Sequence, residues 1–279
     1  MAYLSEMDDE FGFVDPEAAA TRGAELSGQY NAADPFPHIV IDDFMPEAIL
    51  EKCLREFPAN IEEGGVRFDR EQERFKTHFN PDVLSPWYRG LFYGFNSRPF
   101  IRVLENITGI KGLIPDPFFL GAGLHEISQG GHLSIHADFN HHKPMNLERR
   151  INLLIYLNKD WKPEYGGQLE LWDKSMKHKV VDVVPSFNKC VIFNTNSDSF
   201  HGNPGVINHP QSIPRKSIAL YYYTSTWGAA KRDHTTQFKV RAGSKDAIDW
   251  KVKYRELLQD VLPPVLHRTI TGAKKRDPD

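Results

Sequence analysis

Cysteine is nearly absent. The chain has 279 residues and two cysteines, Cys53 and Cys190, at no CxxC or zinc-ligand spacing. A thiolate zinc site and a disulfide framework are therefore excluded, and a reducing, cytoplasmic setting is expected. No apolar run approaches the roughly 20 residues needed to cross a bilayer, so no membrane partner is expected. Residues 1–17 lack the basic start and apolar core of a secretory signal. Neither sign of charge dominates: Lys+Arg is 34 and Asp+Glu is 37, a formal net charge of −3. That balance argues against a nucleic-acid partner. What remains is the mixture of a globular protein, 40% hydrophobic and 25% charged, in a chain long enough to bury a core without staples.

The chain divides into an arm over 1–34, a main domain over 35–240 and a helix with a tail over 241–279. Residues 1–30 are polar and weakly patterned, which suggests loose attachment. A short strand at Ile39–Phe44 leads to Pro46, which suits the first turn of a helix. Ile49, Leu50, Cys53, Leu54 and Phe57 then recur at helical spacing. Residues 60–78 are charged without a clear period and read as a loop or flap. Ser97 caps a second helix that ends near Gly109. From Pro117 onward, eight short β-type runs follow one another: 118–128, 132–138, 150–158, 168–173, 179–184, 189–195, 199–203 and 215–226. Helices first and strands after predict a mainly β protein with flanking helices, in which the strands form a jelly roll. A last helix is expected over 245–262, stopped by Pro263-Pro264.

Histidine gathers at His132, His136, His141 and His142, but only one of these begins a His-x-acid pair, His136-Ala137-Asp138. In a strand, residues i and i+2 share a face, so imidazole and carboxylate reach one point. A third ligand is expected from His201, late in the barrel. Two histidines and one carboxylate leave three open positions, as in non-haem Fe(II) oxygenases. A closed zinc site would want a fourth protein ligand. The open positions suit a bidentate oxo-acid plus O₂, and the distal carboxylate of such an acid wants a fixed cation. Arg215 opens an apolar strand fourteen residues after His201 and offers a planar fork. Ser217 shares its face by alternation. Tyr156 can add a phenol, with Asn152 on the same face. His132, His141, His142, Lys143, Arg149 and Arg150 read as rim residues, with the alternative that the last five meet an anionic group of the substrate such as an amino-acid carboxylate.

At these positions the chain resembles the Fe(II)/2-oxoglutarate-dependent oxygenase superfamily, and within it the prolyl-4-hydroxylase-like branch of bacterial type. The resemblance is carried by His136-Ala137-Asp138, by Arg150–Trp161 with Gly166–Trp172, and by the Arg215 strand, and it spans roughly 35–240. It implies a double-stranded β-helix, Fe(II) on His136, Asp138 and His201, and 2-oxoglutarate on Arg215 and Tyr156. Two departures stand out. The His201-to-Arg215 gap is longer than in the hypoxia-sensing members, and His125–Ile135 lacks their tyrosines. The related halogenases have a small residue where this chain has Asp138, so halogenation is not expected.

The expected function is hydroxylation of an unactivated C–H bond in an amino acid, a peptidyl residue or a small metabolite, releasing succinate and CO₂. The alternative is a cupin-type protein that holds metal and carboxylate without turnover. A hydrolytic zinc enzyme fits less well, because no general base is evident beside the ligands. Substrate lids are expected in 60–78 and in Val206–Pro214, since loops at the mouth of a rigid barrel carry specificity.

Overall fold

The computed structural model describes residues 1–241 except 9, 227, 229, 230 and 232, together with 244, 246 and 250. Apart from 246 and 250, the helix expected over 245–262 lies outside the described residues, as does the tail.

In chain order the elements are α1 (Ser27–Ala32), β1 (His38–Ile41), α2 (Glu47–Arg55), β2 (Gly65–Arg70), β3 (Glu73–Phe79), α3 (Pro86–Phe95), α4 (Arg98–Thr108), β4 (Ile114–Pro115) and β5 (Gly123–Ala137). They continue with β6 (His141–His142), β7 (Leu147–Tyr156), β8 (Leu169–Trp172), β9 (Lys179–Val183), β10 (Cys190–Asn194), β11 (His201–Asn203), β12 (Arg215–Thr224) and β13 (Gln237–Phe238). The main path through the sheet runs β1-β10-β7-β12-β5-β11-β8-β9, and neighbouring strands along it are antiparallel.

Two of the helices follow directly from local chemistry. In α4, a proline in the first turn and Gly109 in the left-handed conformation (φ 73°) set the ends. Phe100, Val103, Leu104 and Ile107 form its buried stripe. The sequence reading missed α3. Its signal was Ser85-Pro86: the Ser85 hydroxyl caps the Tyr88 amide, and Pro86 opens the first turn. Tyr88, Leu91, Phe92 and Phe95 face inward.

The strands alternate between two interiors. Ile151, Leu153 and Ile155 of β7, with Ile218, Leu220 and Tyr222 of β12, pack under the helices in the main core. On the other face, Tyr156 joins Phe36, Leu169, Leu171, Val191 and Phe193 in a second cluster. Asn152, Leu154, Arg215, Ser217 and Tyr221 line an inner cavity on that face.

Three expectations are corrected. Residues 1–30 are not loosely attached: Leu4, Met7, Val14, Ala19 and Tyr30 are buried in the main core. Tyr30 donates to Asn194 at 2.7 Å, and Trp87 donates to the Glu10 carbonyl at 2.7 Å. A few spaced anchors in polar sequence leave little periodicity to read. The 60–78 segment is not a loop but largely the β2–β3 hairpin, with β3 laid along β5. Much of β2 is exposed, so no buried stripe marks it. The two runs at 118–128 and 132–138 lie largely in one strand of 15 residues, β5, which continues through Gly130 at φ 78°.

One pH effect follows from the packing beside β5. The rings of His78 and His125 lie 5.2 Å apart, and their Nε2 atoms point at the Ala122 and Gly121 carbonyls at 2.8 and 2.9 Å. Burial holds both imidazoles below their ordinary 6.5, His125 well below, with the Lys76 charge acting the same way. An unfolded histidine takes a proton that the folded one refuses. This contribution to stability is therefore complete above the unfolded value and is lost as pH falls. The metal-free melting temperature should drop between about pH 6.5 and 5. His125→Gln should shrink that drop, and an equal drop in the variant would refute the assignment.

Candidate metal and cosubstrate site

β11 lies between β5 and β8, and the register sets His201 directly opposite His136. Their ring centroids are 4.5 Å apart. Asp138 follows just past the end of β5. One ligand atom from each of His136, Asp138 and His201 falls within 4.8 Å of the others. The three residues expected to form a triad are thus brought together. Both histidines are buried.

The hydrogen bonds assign the histidine tautomers. His136 Nδ1 faces the Ser134 carbonyl at 2.9 Å, and His201 Nδ1 faces the Ser199 carbonyl at 2.9 Å. A carbonyl only accepts, so each Nδ1 carries a proton and each ring turns its Nε2 toward the site. The Nε2 atoms face Asp138, with His136 Nε2 at 3.6 Å from Oδ1 and His201 Nε2 at 3.3 Å from Oδ2. Burial holds His201 below the ordinary imidazole range. Burial would raise the Asp138 carboxyl, but the Arg149 guanidinium and His201 outweigh it and hold the group well below the carboxylate range. Two imidazole Nε2 atoms and a carboxylate held ionised by Arg149, converging on one point, form a donor set for a cation. Carbonyls fixing the far ring nitrogens are the usual outer support of such ligands.

Two cavities meet at the triad, sharing Lys76, Leu133, His136, Asp138 and Tyr221. The inner one, about 80 Å³, reaches Arg215, Ser217 and Asn152, as alternation predicted. Arg215 is 5% exposed and forms no ion pair with a described residue. Its Nε donates to the Gly167 carbonyl at 2.8 Å, and its guanidinium carbon lies 4.9 Å from the Tyr156 ring centroid. Gly167 sits at φ 74°, and a β-carbon there would lie 2.9 Å from Arg215 Cδ, so only glycine lets the arginine lie this close. The Tyr156 hydroxyl is buried with no hydrogen-bond partner among the described residues. Among the described residues, Arg215 has no counter-charge and lines the cavity of the triad, while the phenol packed on it lines neither cavity; a buried cation so placed suits an anionic cosubstrate. Asn152 lines the same cavity, but its amide is engaged with Asp138 and Arg149.

The outer cavity, about 370 Å³, is walled by the hairpin residues Phe68, Arg70, Glu73 and Lys76, and by Phe139, Arg149 and Phe238. The 60–78 segment thus does border the site, as a sheet edge. The other expected lid, Val206–Pro214, lines neither cavity. Ile207 pairs with Gly130 and Gly131, and His209 packs on Tyr165 with centroids 4.4 Å apart.

Two expected rim residues are deeply placed. His142 is fully buried, with Nε2 3.0 Å from Asp116 Oδ1. Arg149 is 2% exposed and lies 3.0 Å from Asp138 Oδ2. Strict alternation would put Arg149 with Ile151, under the helices. An irregularity pairs Tyr222 with Ile151 but Tyr223 with Arg149, and this extra residue turns Arg149 toward the site. His132 and His141 stay at the edge, and Lys143 is exposed beside Asp233.

Comparison with known proteins agrees with this geometry. Residues 122–223 match the family model described as the 2OG-Fe(II) oxygenase superfamily. The mouse prolyl 3-hydroxylase OGFOD1 is 35% identical over 79 residues, which are 27% of this chain and 14% of that protein. The chain therefore spans about a seventh of that relative's length. A prolyl 4-hydroxylase from Phytophthora capsici shares the fold at TM-score 0.51 and 19% identity, over 76% of this chain and 66% of that one. A Trichoplax adhaerens prolyl hydroxylase, solved with a peptide fragment, gives TM-score 0.48 at 19% identity, over 72% and 88% of the two chains. The curled antiparallel sheet is a double-stranded β-helix, shared with the Phytophthora enzyme, and no described helix is long and apolar enough to cross a membrane. The matched residues 122–223 hold His136, Asp138, His201 and Arg215, so the likeness to the 2OG-Fe(II) oxygenase superfamily falls on the strands that build this site.

Proposed function

We propose that this protein hydroxylates an unactivated C–H bond of an amino acid, a peptidyl residue or a small metabolite. In this reading, Fe(II) is held by His136, Asp138 and His201, and 2-oxoglutarate by Arg215 and Tyr156, with Ser217 on the same wall. The observation that carries the reading is the shared space: three converging metal donors and an uncompensated buried guanidinium border one cavity. When bound, iron with 2-oxoglutarate and O₂ supplies an oxidant, yielding succinate, CO₂ and one oxygen atom for the substrate. The protein supplies orientation. His136 and His201 would present Nε2 from rings fixed by backbone carbonyls, Asp138 would present a charge, and Arg215 would offer a fork to the distal carboxylate. Phe68, Phe139 and Phe238 wall the outer cavity, where they help exclude water from the reacting C–H bond. The two free cysteines, both buried, agree with a cytoplasmic setting.

The test is anaerobic loading with Fe(II) and 2-oxoglutarate, followed by air and a succinate assay against amino acids, peptides and metabolites, proline-containing ones included. Succinate released with a hydroxylated product supports the reading. Stable binding without loss of 2-oxoglutarate would instead mark a cupin-type binder.

The hairpin should govern the substrate but not the cosubstrate. Phe68→Ala should raise the substrate KM about tenfold, equivalent to ~1.4 kcal/mol of apolar contact. Substrate-free consumption of 2-oxoglutarate should stay within about twofold. A KM unchanged in this variant and in Arg70→Ala would place the substrate elsewhere.

A further inference from the structure

The two oxygens of Asp138 have different surroundings. Oδ2 accepts from the Asn152 amide at 2.7 Å and lies 3.0 Å from Arg149 Nη2. Asn152 turns its own oxygen to Arg149, which donates from Nε at 3.1 Å and from Nη2 at 2.6 Å. The guanidinium carbon is 3.6 Å from the Tyr221 ring centroid and 4.4 Å from that of Phe139. Asp138, Asn152 and Arg149 thus close a ring of polar contacts, braced by two aromatic faces. Oδ1 lies 3.6 Å from His136 Nε2 and takes neither of these contacts, whereas Oδ2, besides its two, lies 3.3 Å from His201 Nε2.

We infer that Asn152 and Arg149 are a positioning pair that engages Oδ2 and leaves Oδ1 for the metal, so that Asp138 binds through one oxygen. The inference rests on the reading of the triad as a metal site. A carboxylate free to turn can offer a metal both oxygens, and the second would fill a position that 2-oxoglutarate or O₂ needs. The residue types suit the task. Asparagine donates from one end of its amide and accepts at the other, which neither aspartate nor leucine does. Arginine reaches two acceptors from one rigid edge, which lysine cannot. The two aromatic faces limit movement of the guanidinium.

The experiment uses the whole chain, metal-free, titrated with Co(II) as a redox-stable probe. Its readouts are affinity, the visible ligand-field spectrum, and the melting temperature before metal is added. His136→Ala is the control for the metal reading. If it binds Co(II) as tightly as the unaltered protein with the same spectrum, the triad reading itself fails. With that control passed, Asn152→Asp and Asn152→Leu should each weaken Co(II) binding about 10- to 100-fold and alter the spectrum. Asn152→Asp keeps an acceptor for Arg149, so it guards against a variant that merely fails to fold. Arg149→Lys should fall between these variants and the unaltered protein. Unchanged Co(II) affinity and spectrum in the Asn152 variants overturns the inference, and so does a loss confined to melting temperature.

Discussion

Asp138→Ala is expected to abolish succinate release and also to weaken the fold before any metal is added. The second effect comes from Arg149. Its side chain is 1% exposed, and Asp138 is its ion-pair partner. Removing one member of a buried pair strands the other charge, which typically costs about 3–5 kcal/mol. In a chain of this size that corresponds to a fall of roughly 6–20 °C in melting temperature. The pair also has a predictable acid limit. Arg149 holds the Asp138 carboxyl below its unfolded value, so this stability is present above about pH 4 and is lost only as pH falls through the depressed folded value. Acid sensitivity nearer neutrality belongs to the histidines. The double variant Asp138→Ala/Arg149→Met separates the two effects: it should recover much of the melting temperature and none of the turnover. A metal-free Asp138→Ala protein as stable as the unaltered one would show that Arg149 is solvated, contrary to the burial described here.

Arg215→Met should behave in the opposite way. Arg215 is buried without an acidic partner among the described residues, and burial pushes its guanidinium below the ordinary range. The metal-free fold therefore carries a desolvated charge that only the Gly167 carbonyl and the Tyr156 ring are seen to offset, a cost that methionine of similar length removes. The variant's melting temperature should stay level or rise. Its affinity for 2-oxoglutarate should fall at least ~100-fold, within the 2–5 kcal/mol lost when one partner of a buried charge pair is truncated. Calorimetry with 2-oxoglutarate and a redox-inert divalent metal, together with thermal shift, checks both halves. At a hundred times Kd, the cosubstrate should add about 2.7 kcal/mol to the unaltered protein and almost nothing to the variant. Tyr156→Phe should cost less, about 1 kcal/mol, because a single neutral hydrogen bond is lost. An Arg215→Met protein that binds 2-oxoglutarate within threefold of the original would send the cosubstrate to another wall.

Much of the site was legible because strand alternation is a strict code. His136 and Asp138 two apart, and Arg215, Ser217 and Tyr221 on one face, needed only the period of two. The segregation of helices from strands was legible for a similar reason, since α2 and α4 carry clean apolar stripes. What escaped notice lay where a local rule was broken. An extra residue in β7 reversed the direction of Arg149, and no composition signal marks a bulge. The β2–β3 hairpin hid because much of β2 faces solvent, so its charges read as loop. His142 sits beside exposed-looking neighbours, yet it is drawn inward by Asp116, 26 residues earlier, a contact without a sequence signature. The N-terminal residues depend on scattered anchors that find their partners only in three dimensions.

The shortness of β11 has a consequence for how the protein matures. The strand has three residues, and its register with β5 changes between His201 and Asn203. A slip of one residue would turn His201 to the opposite face. The displaced chain would keep a similar number of backbone bonds yet lose the ability to chelate. A divalent ion held by the three residues would therefore favour the observed pairing over a one-residue slip.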